Sequence, residues 1–460
     1  MATDPPLYTE VADPGSLRPF GAEAEAGNPA GWPGYPDQLR RARQATGAPQ
    51  AVTTGLATVG GQPCVLAGFE FGFLGGSIGT AEGARIAEAF AVAAARRLPM
   101  VSVAASGGTR MQEGTVALAQ MQTAAAAVVQ ARRAGIPHIA VAGDPTTGGV
   151  WSSLIASADL VFSVPGARVS FSGSRTRPAG ADPAAGEFLA DGQWAHGCVD
   201  LLLHQPELRA GVAAAARLLA PAPGHGPLRP APVPTRPDGP AWPPDDRPLA
   251  RRRRLADPPS ATGGWAHVSA ARQRGPARAD RWLASYFGPT VAIRGDRCGG
   301  VDPGIRCGFG SHDGTTIAYI AQTGQRTRPA GFRTAARLLG LASRLRRPVL
   351  TLIDTPGAAA APADEAAGLG AAIAELFAAM AASEVPVTSV VIGEGVSGGA
   401  LALAAPGNLW IARDAYLAVT APELAASILK LGSGEVPEVA GRLRLMPADL
   451  LGQGLVRGII

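Results

Sequence analysis

Residues 105–114 read ASGGTRMQEG, directly after LPMVSVA at 98–104, an apolar run that reads as a buried strand. A strand that ends on Gly107 and Gly108 and then opens a helix admits two readings. Glycine supplies a positive φ for a tight turn at no steric cost. It also lets a ligand approach bare backbone amides at a helix start, where the donors have no intrahelical partner. The rest of the chain bears on which reading holds.

The same punctuation recurs. A helix-period run at 84–97 leads to strand 100–104 and then Ser106, Gly107 and Gly108. A second, at 116–134, leads to strand 138–142 and then DPTTGGV at 144–150. Further on, helix 331–346 leads to strand 349–353 and DTPGA at 354–358. Helix 366–382 then leads to strand 387–392 and GEGVSGGALA at 393–402. Gly107 precedes Gly148 by the same 41 residues that separate Gly357 from Gly398. The halves also close alike, with HGCVD at 196–200 and QGLVRG at 453–458. Matched spacing of this kind is the mark of a duplicated domain carrying a duplicated site. If consecutive strands lie side by side, the paired turns converge and their amides can hydrogen-bond one oxygen. That is an oxyanion hole, and it needs no titrating side chain.

The organisation that follows is an N-terminal arm at 1–50 with a short helix at 37–45, then an α/β domain at 51–220. A linker at 221–262, rich in proline and with arginines at 251–254, leads to a second α/β domain at 263–460. With 41 basic and 36 acidic residues the net charge is only +5, too mild to argue for nucleic acid. Lys430 is the one lysine, which excludes a P-loop. The 4 cysteines, Cys64, Cys198, Cys298 and Cys307, form no C-x-x-C pair, so reduced thiols are expected and a zinc ribbon is not. The start MATDPPLYTE has neither a basic nor an apolar leader region. No apolar stretch reaches the roughly 18–20 residues of a spanning helix. A soluble, cytoplasmic protein is the expectation.

Gly395, Ser397 and Gly399 satisfy G-x-S-x-G, the nucleophile elbow of an α/β-hydrolase. That chemistry needs a later histidine, and the last of the 6 is His312. Ser397 is therefore read as a small residue that lets a helix pack closely. His138 opens a strand and reads as structural, and no cluster has metal-ligand spacing. Glu113 and Glu394 stand beside the glycine-rich turns as candidate acids or bases. For Glu113 a role at the helix dipole is the preferred reading.

On these motifs the chain resembles bacterial acetyl-CoA carboxylase carboxyltransferase. Residues 35–219 resemble the beta subunit through TGLATVGGQPCVLAGFEFGFLGGSIGT, VSVAASGGTRMQEG and HIAVAGDPTTGGV. Residues 263–460 resemble the alpha subunit through RPVLTLIDTPGA, VPVTSVVIGEGVSGGALAL and APELAASILK. The chain looks like a natural beta–alpha fusion. The resemblance implies two crotonase-like domains of repeated β-β-α units. It also implies transfer of a carboxyl group from carboxybiotin to the enolate of an acyl-CoA, giving malonyl-CoA from acetyl-CoA. Two enolates would need two oxyanion holes. Matched by position, Gly107 and Gly108 would form one and Gly399 with Ala400 the other. Gly148, Gly149, Gly357, Ala358 and Gly398 would line the pocket. Biotin would arrive on a separate carrier protein, loaded by a separate biotin carboxylase, because no biotinylation motif surrounds Lys430. A homodimer, no bound metal, no membrane and no nucleic-acid partner are implied.

The sequence departs from the family in four places. The beta subunit's four-cysteine zinc ribbon is replaced by cysteine-free sequence before residue 35. After DTPGA the chain reads AAAPADEAAGL, without the family's aromatic, glycine and arginine at positions 359, 361 and 367. Leu424 replaces a glycine, and the alpha subunit's C-terminal extension does not follow Ile460. Two other readings keep the same residues. One is a biotin-independent decarboxylase, or another enolate-forming enzyme, acting on a malonyl-type thioester or a carboxylated natural-product intermediate. The other is a non-catalytic subunit that binds acyl-CoA.

Overall fold

The computed structural model describes residues 5–21, 27–173, 185–221, 226–237, 263–273 and 277–460. Most of the expected linker at 221–262, with arginines 251–254, lies outside these residues. The chain divides into two compact units. Unit 1 is Met1–Pro223 with Arg297–Gly299, and unit 2 is Gly224–Asp296 with Gly300–Ile460.

In unit 1 the strands are β1 (Arg18–Phe20), β2 (Val52–Val59), β3 (Gln62–Phe69), β4 (Met100–Ser106), β5 (His138–Thr147), β6 (Leu160–Ser163), β7 (Val169–Ser170) and β8 (Leu201–Leu202). They form one sheet in the order β1-β2-β3-β4-β5-β6-β8, with β7 beside the end of β5. β2 and β3 are an antiparallel hairpin closed by Gly60 and Gly61, both at positive φ as a tight two-residue turn requires. From β3 onward every pairing is parallel, so each connection must cross over, and helices supply the crossovers. The helices named here are α1 (Leu7–Val11), α2 (Tyr35–Thr46), α3 (Thr80–Arg96), α4 (Thr115–Arg133) and the short α5 (Gly148–Val150). α3 buries Ile86, Ala89, Phe90 and Ala93, a three-to-four-residue spacing that lays one apolar stripe on the sheet. β4 and β5 are buried on both faces and accordingly read as continuous apolar runs.

The described residues of segment 1–50 are not an extended arm. β1 pairs antiparallel with β2, Arg18 opposite Leu56, and Val11 of α1 is fully buried. Glycines in the sheet make the room. A Cβ on Gly55 would stand 2.6 Å from the Arg18 carbonyl oxygen, and one on Gly68 would stand 2.2 Å from the Tyr8 ring.

Unit 2 repeats the plan. Its strands are β9 (Thr290–Ile293), β10 (Ile305–His312), β11 (Thr315–Gln322), β12 (Val349–Thr355), β13 (Val387–Val396), β14 (Leu409–Ile411), β15 (Tyr416–Ala418) and β16 (Gly458–Ile459). The order is β16-β14-β13-β12-β11-β10-β9, with β15 beside the end of β13. Asp313 and Gly314, both at positive φ, close the β10–β11 hairpin. The sequence-expected helix at 366–382 is two helices, Pro362–Ala366 and Leu369–Ala381, parted by Gly368 in the left-handed region.

One irregularity occurs in both sheets at the same place. The β4–β5 register shifts between Ala104 and Ser106, and the β12–β13 register shifts between Ile353 and Thr355. Beyond the shift Ser106 lies opposite Thr146, and Thr355 lies opposite Gly395. A bulge bends the strand and frees backbone from the ladder. Each pair of glycine-rich turns springs from this bend, at the carboxyl ends of adjacent parallel strands.

Candidate active site

The register settles which residues are counterparts. Thr355 stands where Ser106 stands, so Gly357 matches Gly108, and Pro356 rather than Gly357 matches Gly107. The conformations agree, with φ of +107° at Gly108 and +116° at Gly357. On the second turn Ser397 matches Gly148, at +66° and +61°. Ser397 thus sits exposed in a left-handed turn and does not serve close helix packing.

In unit 1 the amides of three of the four turn glycines are already spoken for. Gly107 N–H donates to the Gly75 carbonyl at 2.8 Å, and Gly108 N–H donates to Ser106 Oγ at 3.0 Å. Gly148 N–H donates to the Phe171 carbonyl at 3.0 Å. The expectation that Gly107 and Gly108 supply one oxyanion hole therefore does not fit the hydrogen bonding: both donors are consumed in shaping the turn. The next amide is different. Ile78 brackets Thr109, with Ile78 N–H donating to the Gly108 carbonyl and Arg110 N–H donating to the Ile78 carbonyl, both at 2.8 Å. Thr109 N–H itself donates to no acceptor among the described residues. Gly149 lies in the first turn of α5, where no intrahelical carbonyl is in reach. The two positions adjoin. A Cβ on Gly108 would lie 3.5 Å from Gly149 N, and one on Gly149 would lie 3.0 Å from Thr109 Oγ1.

Unit 2 has the same bracket. Thr355 Oγ1 accepts from Gly357 N–H at 3.2 Å, Thr327 N–H donates to the Gly357 carbonyl at 3.4 Å, and Ala359 N–H donates to the Thr327 carbonyl at 2.9 Å. Ala358 N–H is left without an acceptor among the described residues. Gly398, Gly399 and Ala400 lie in the first turn of the helix Ser397–Leu401. A Cβ on Gly399 would stand 2.7 Å from Ala358 N, so only glycine leaves that amide approachable. Gln322 Nε2 fixes the turn by donating to the Gly399 carbonyl at 2.9 Å. Arg326, exposed, donates to the Ala358 carbonyl at 3.2 Å and carries a guanidinium to this turn. Nothing in the sequence pattern singled it out.

Charged groups sit behind both turns. In unit 1 the Arg110 side chain is fully buried, donating to Ser77 Oγ, the Ser77 carbonyl, Tyr35 Oη and Glu82 Oε1. Glu113 is buried and accepts from Tyr35 Oη at 2.6 Å and from Thr80 N–H and Oγ1 at 2.7 Å. It is bound to the turn network and not placed as a free acid or base. In unit 2 burial pushes the Asp354 carboxyl up to about 6, against the pull of the Arg278 guanidinium 3.1 Å away and the Glu394 amide. Glu394 accepts from Tyr416 Oη at 2.5 Å and pairs with Arg272 at 2.9 Å. His138 is structural, its Nε2 2.9 Å from Ser102 Oγ. Among the described residues, no group of three or more His, Cys, Asp or Glu is placed to hold a metal ion.

The chain's likeness to known proteins follows the same division. The model of the carboxyl transferase domain matches residues 29–246. The acetyl co-enzyme A carboxylase carboxyltransferase-like model matches 260–460. A relative from Saccharopolyspora erythraea, named acetyl-coenzyme A carboxylase carboxyl transferase subunits beta/alpha, is 36% identical over 98% of this chain and 79% of its own length. A probable biotin-dependent acyl-coenzyme A carboxylase beta3 subunit from Mycobacterium bovis is 34% identical over 93% of this chain and 83% of its own. Among solved structures, transcarboxylase 12S with hydrolysed methylmalonyl-coenzyme A matches 99% of this chain and 85% of its own with a TM-score of 0.76. At 20% identity it speaks for the fold alone. With two family models that together span most of the chain and relatives more than 30% identical over nearly all of it, the chain belongs to the acetyl-CoA carboxylase carboxyltransferase family of enzymes, with a beta-like and an alpha-like half in one polypeptide.

Proposed function

We propose that this chain is the carboxyltransferase component of a biotin-dependent acyl-CoA carboxylase, with acetyl-CoA as the acceptor. The observation that carries the reading is one amide in each unit, Thr109 beside Gly149 and Ala358 beside Gly399, that donates to no acceptor among the described residues. Donors fixed before the reaction stabilise an oxyanion as it forms, at no cost in reorganisation. One pair would take the thioester oxygen of the acyl-CoA, and the other the carbonyl oxygen of the carboxyl donor. Loss of the α-proton then gives a thioester enolate, whose α-carbon forms the new C–C bond to the carboxyl carbon. The cradle at Gly399, which a Cβ would fill, suits a planar carbonyl brought close to backbone. Biotin, held on a separate carrier and loaded by a separate carboxylase, would supply the carboxyl group from a ureido nitrogen. Glu113 is locked in the turn network and Glu394 is held by Tyr416 and Arg272. The proton acceptor on this reading comes from the reactants.

Among the described residues no helix is long and apolar enough to cross a membrane. The reading places the enzyme in the cytoplasm with its carrier, as at least a homodimer. The test is malonyl-CoA consumption by the purified chain, with and without a biotinylated carrier. Loss that requires biotin is the expected result. Loss without biotin would make the chain a decarboxylase. No loss on any carboxylated thioester would leave a subunit that only binds.

A further inference from the structure

The residue after Thr109 carries a guanidinium that no bulk water reaches. Arg110 makes four side-chain bonds, to Ser77 Oγ at 2.8 Å, the Ser77 carbonyl at 2.6 Å, Glu82 Oε1 at 2.8 Å and Tyr35 Oη at 2.9 Å. Glu82 also accepts from Gly79 N–H at 2.9 Å and Ala51 N–H at 3.2 Å. Glu113 stands 3.6 Å from Arg110 and closes the cluster through Tyr35 and Thr80. One cation and two carboxylates are thus sealed inside, with Arg110 and Tyr35 0% exposed. Apolar side chains would fill such a volume at least as stably, so a buried ionic cluster is not explained by stability alone.

The bonds show what the cluster holds. They run from 110–113 to Ser77, to Thr80 and Glu82 of α3 and to the first residue of α2, and Glu82 carries them on to Ala51 just before β2. Thr109 lies between the segment they fix and the Ile78 bracket. Unit 2 has the same backbone bracket with a different set of charges. Ala359 stands in the place of Arg110 and Gly331 in that of Glu82, and the buried Asp302 carboxylate accepts from Arg328 N–H at 2.8 Å as Glu82 does from Gly79 N–H. A buried carboxylate beside the bracket is thus common to both units, whereas the Arg110–Tyr35–Glu113 linkage is particular to the turn of unit 1.

We propose that Tyr35 and Arg110 are positioning residues for the oxyanion turn of unit 1, the Tyr35 hydroxyl of α2 locking Arg110 and Glu113 together and thereby aiming the Thr109 amide. This rests on the reading of Thr109 N–H as a catalytic donor. It ties α2 to the reacting oxygen through two side chains that touch neither substrate nor cofactor. A second link between α2 and the same loop, Gln112 Nε2 donating to Gln38 Oε1 at 2.8 Å, bypasses Arg110 and supplies the control.

The experiment compares Tyr35→Phe, Arg110→Lys and Gln38→Ala in the full chain. Two quantities are read: biotin-dependent malonyl-CoA turnover, and deuterium uptake of the peptide covering 105–114. Tyr35→Phe is expected to lower kcat about tenfold with KM within about twofold, the pattern of a donor lost only in the transition state. It also speeds exchange in 105–114. Arg110→Lys keeps the charge but loses the planar fork, and falls at least as far. Gln38→Ala leaves both readouts at the wild-type level. Wild-type kcat and exchange in Tyr35→Phe would overturn the proposal. So would equal losses in Tyr35→Phe and Gln38→Ala, which would mean that α2 merely needs to dock. Faster exchange with unchanged kcat would overturn the aiming of a catalytic amide. If the wild type shows no transfer at all, the functional reading fails on its own, and exchange alone still decides whether Tyr35 holds the turn.

Discussion

Gly399 shows how one absent methyl group makes a donor available. Its ideal Cβ would lie 2.7 Å from Ala358 N, a contact that backbone cannot yield to. Gly399→Val is therefore expected to fold and to lose kcat by about 10²–10³, the usual effect of losing one oxyanion donor. Steady-state kinetics beside circular dichroism checks it, and an undiminished rate would remove Ala358 and Gly399 from the site. Asp354 makes a different prediction. Its carboxyl titrates near 6 in the folded chain and near the ordinary 3.8 when unfolded, so the native state binds the extra proton between those values. Stability from this group is greatest below about pH 4, falls as pH rises towards 6, and is constant above. Asp354→Asn removes that fall. The difference in thermal midpoint, variant minus wild type, should rise between pH 4 and 6, on top of a constant loss from leaving Arg278 unpaired. A flat difference would show that the carboxyl titrates in its ordinary range.

The strand-to-helix turn is the element that the duplication preserves. Its two copies share conformation more faithfully than composition: Gly148 and Ser397 both take a φ above +60° although only one is glycine. A left-handed conformation costs a non-glycine residue roughly 1–2 kcal/mol, partly offset by the greater unfolded-state freedom of glycine. Ser397→Gly should thus stabilise unit 2 by up to about 1 kcal/mol and leave turnover intact, measured as a rise in thermal midpoint. Loss of turnover would revive the serine as a nucleophile. The same element shows where sequence reading stops. Spacing and periodicity revealed two pairs of glycine-rich turns at strand ends, because period and turn chemistry are local. They aligned Gly107 with Gly357, whereas the β-bulge register aligns it with Pro356. They also assigned the donors by residue type, and amide availability depends on acceptors far away, such as Gly75 for Gly107 and Phe171 for Gly148. No local pattern encodes those partners. The buried Arg110 was hidden for a related reason, since its counter-charges come from Glu82 and its hydroxyl partner from Tyr35.

For the whole molecule, the α/β class and the duplication were legible, and the place of the first fifty residues was not. Poor apolar periodicity there suggested an arm, yet β1 extends the sheet because Gly55 leaves room for it, and Gly68 leaves room for the Tyr8 ring of α1. Exposed apolar side chains belong to this scale too. Met111 and Leu118 in unit 1, and Val419, Ile428 and Leu429 in unit 2, are each more than half exposed. A second chain covering such side chains would remove their surface from water. On the self-association proposed above, light scattering should give a mass of at least two chains, and a monomeric mass would refute it.

On the function proposed above the catalytic centre is made of peptide amides, and such a centre has a chemical temperament of its own. Serine, cysteine and histidine sites are silenced by acylating, alkylating or carbethoxylating agents, because the reactive atom is a side-chain nucleophile. The amides of Thr109, Gly149, Ala358 and Gly399 offer such reagents nothing to attack, and they hold their protons across the whole physiological range. Inhibition of this chain then has to come from molecules that mimic a planar oxyanion in shape and charge.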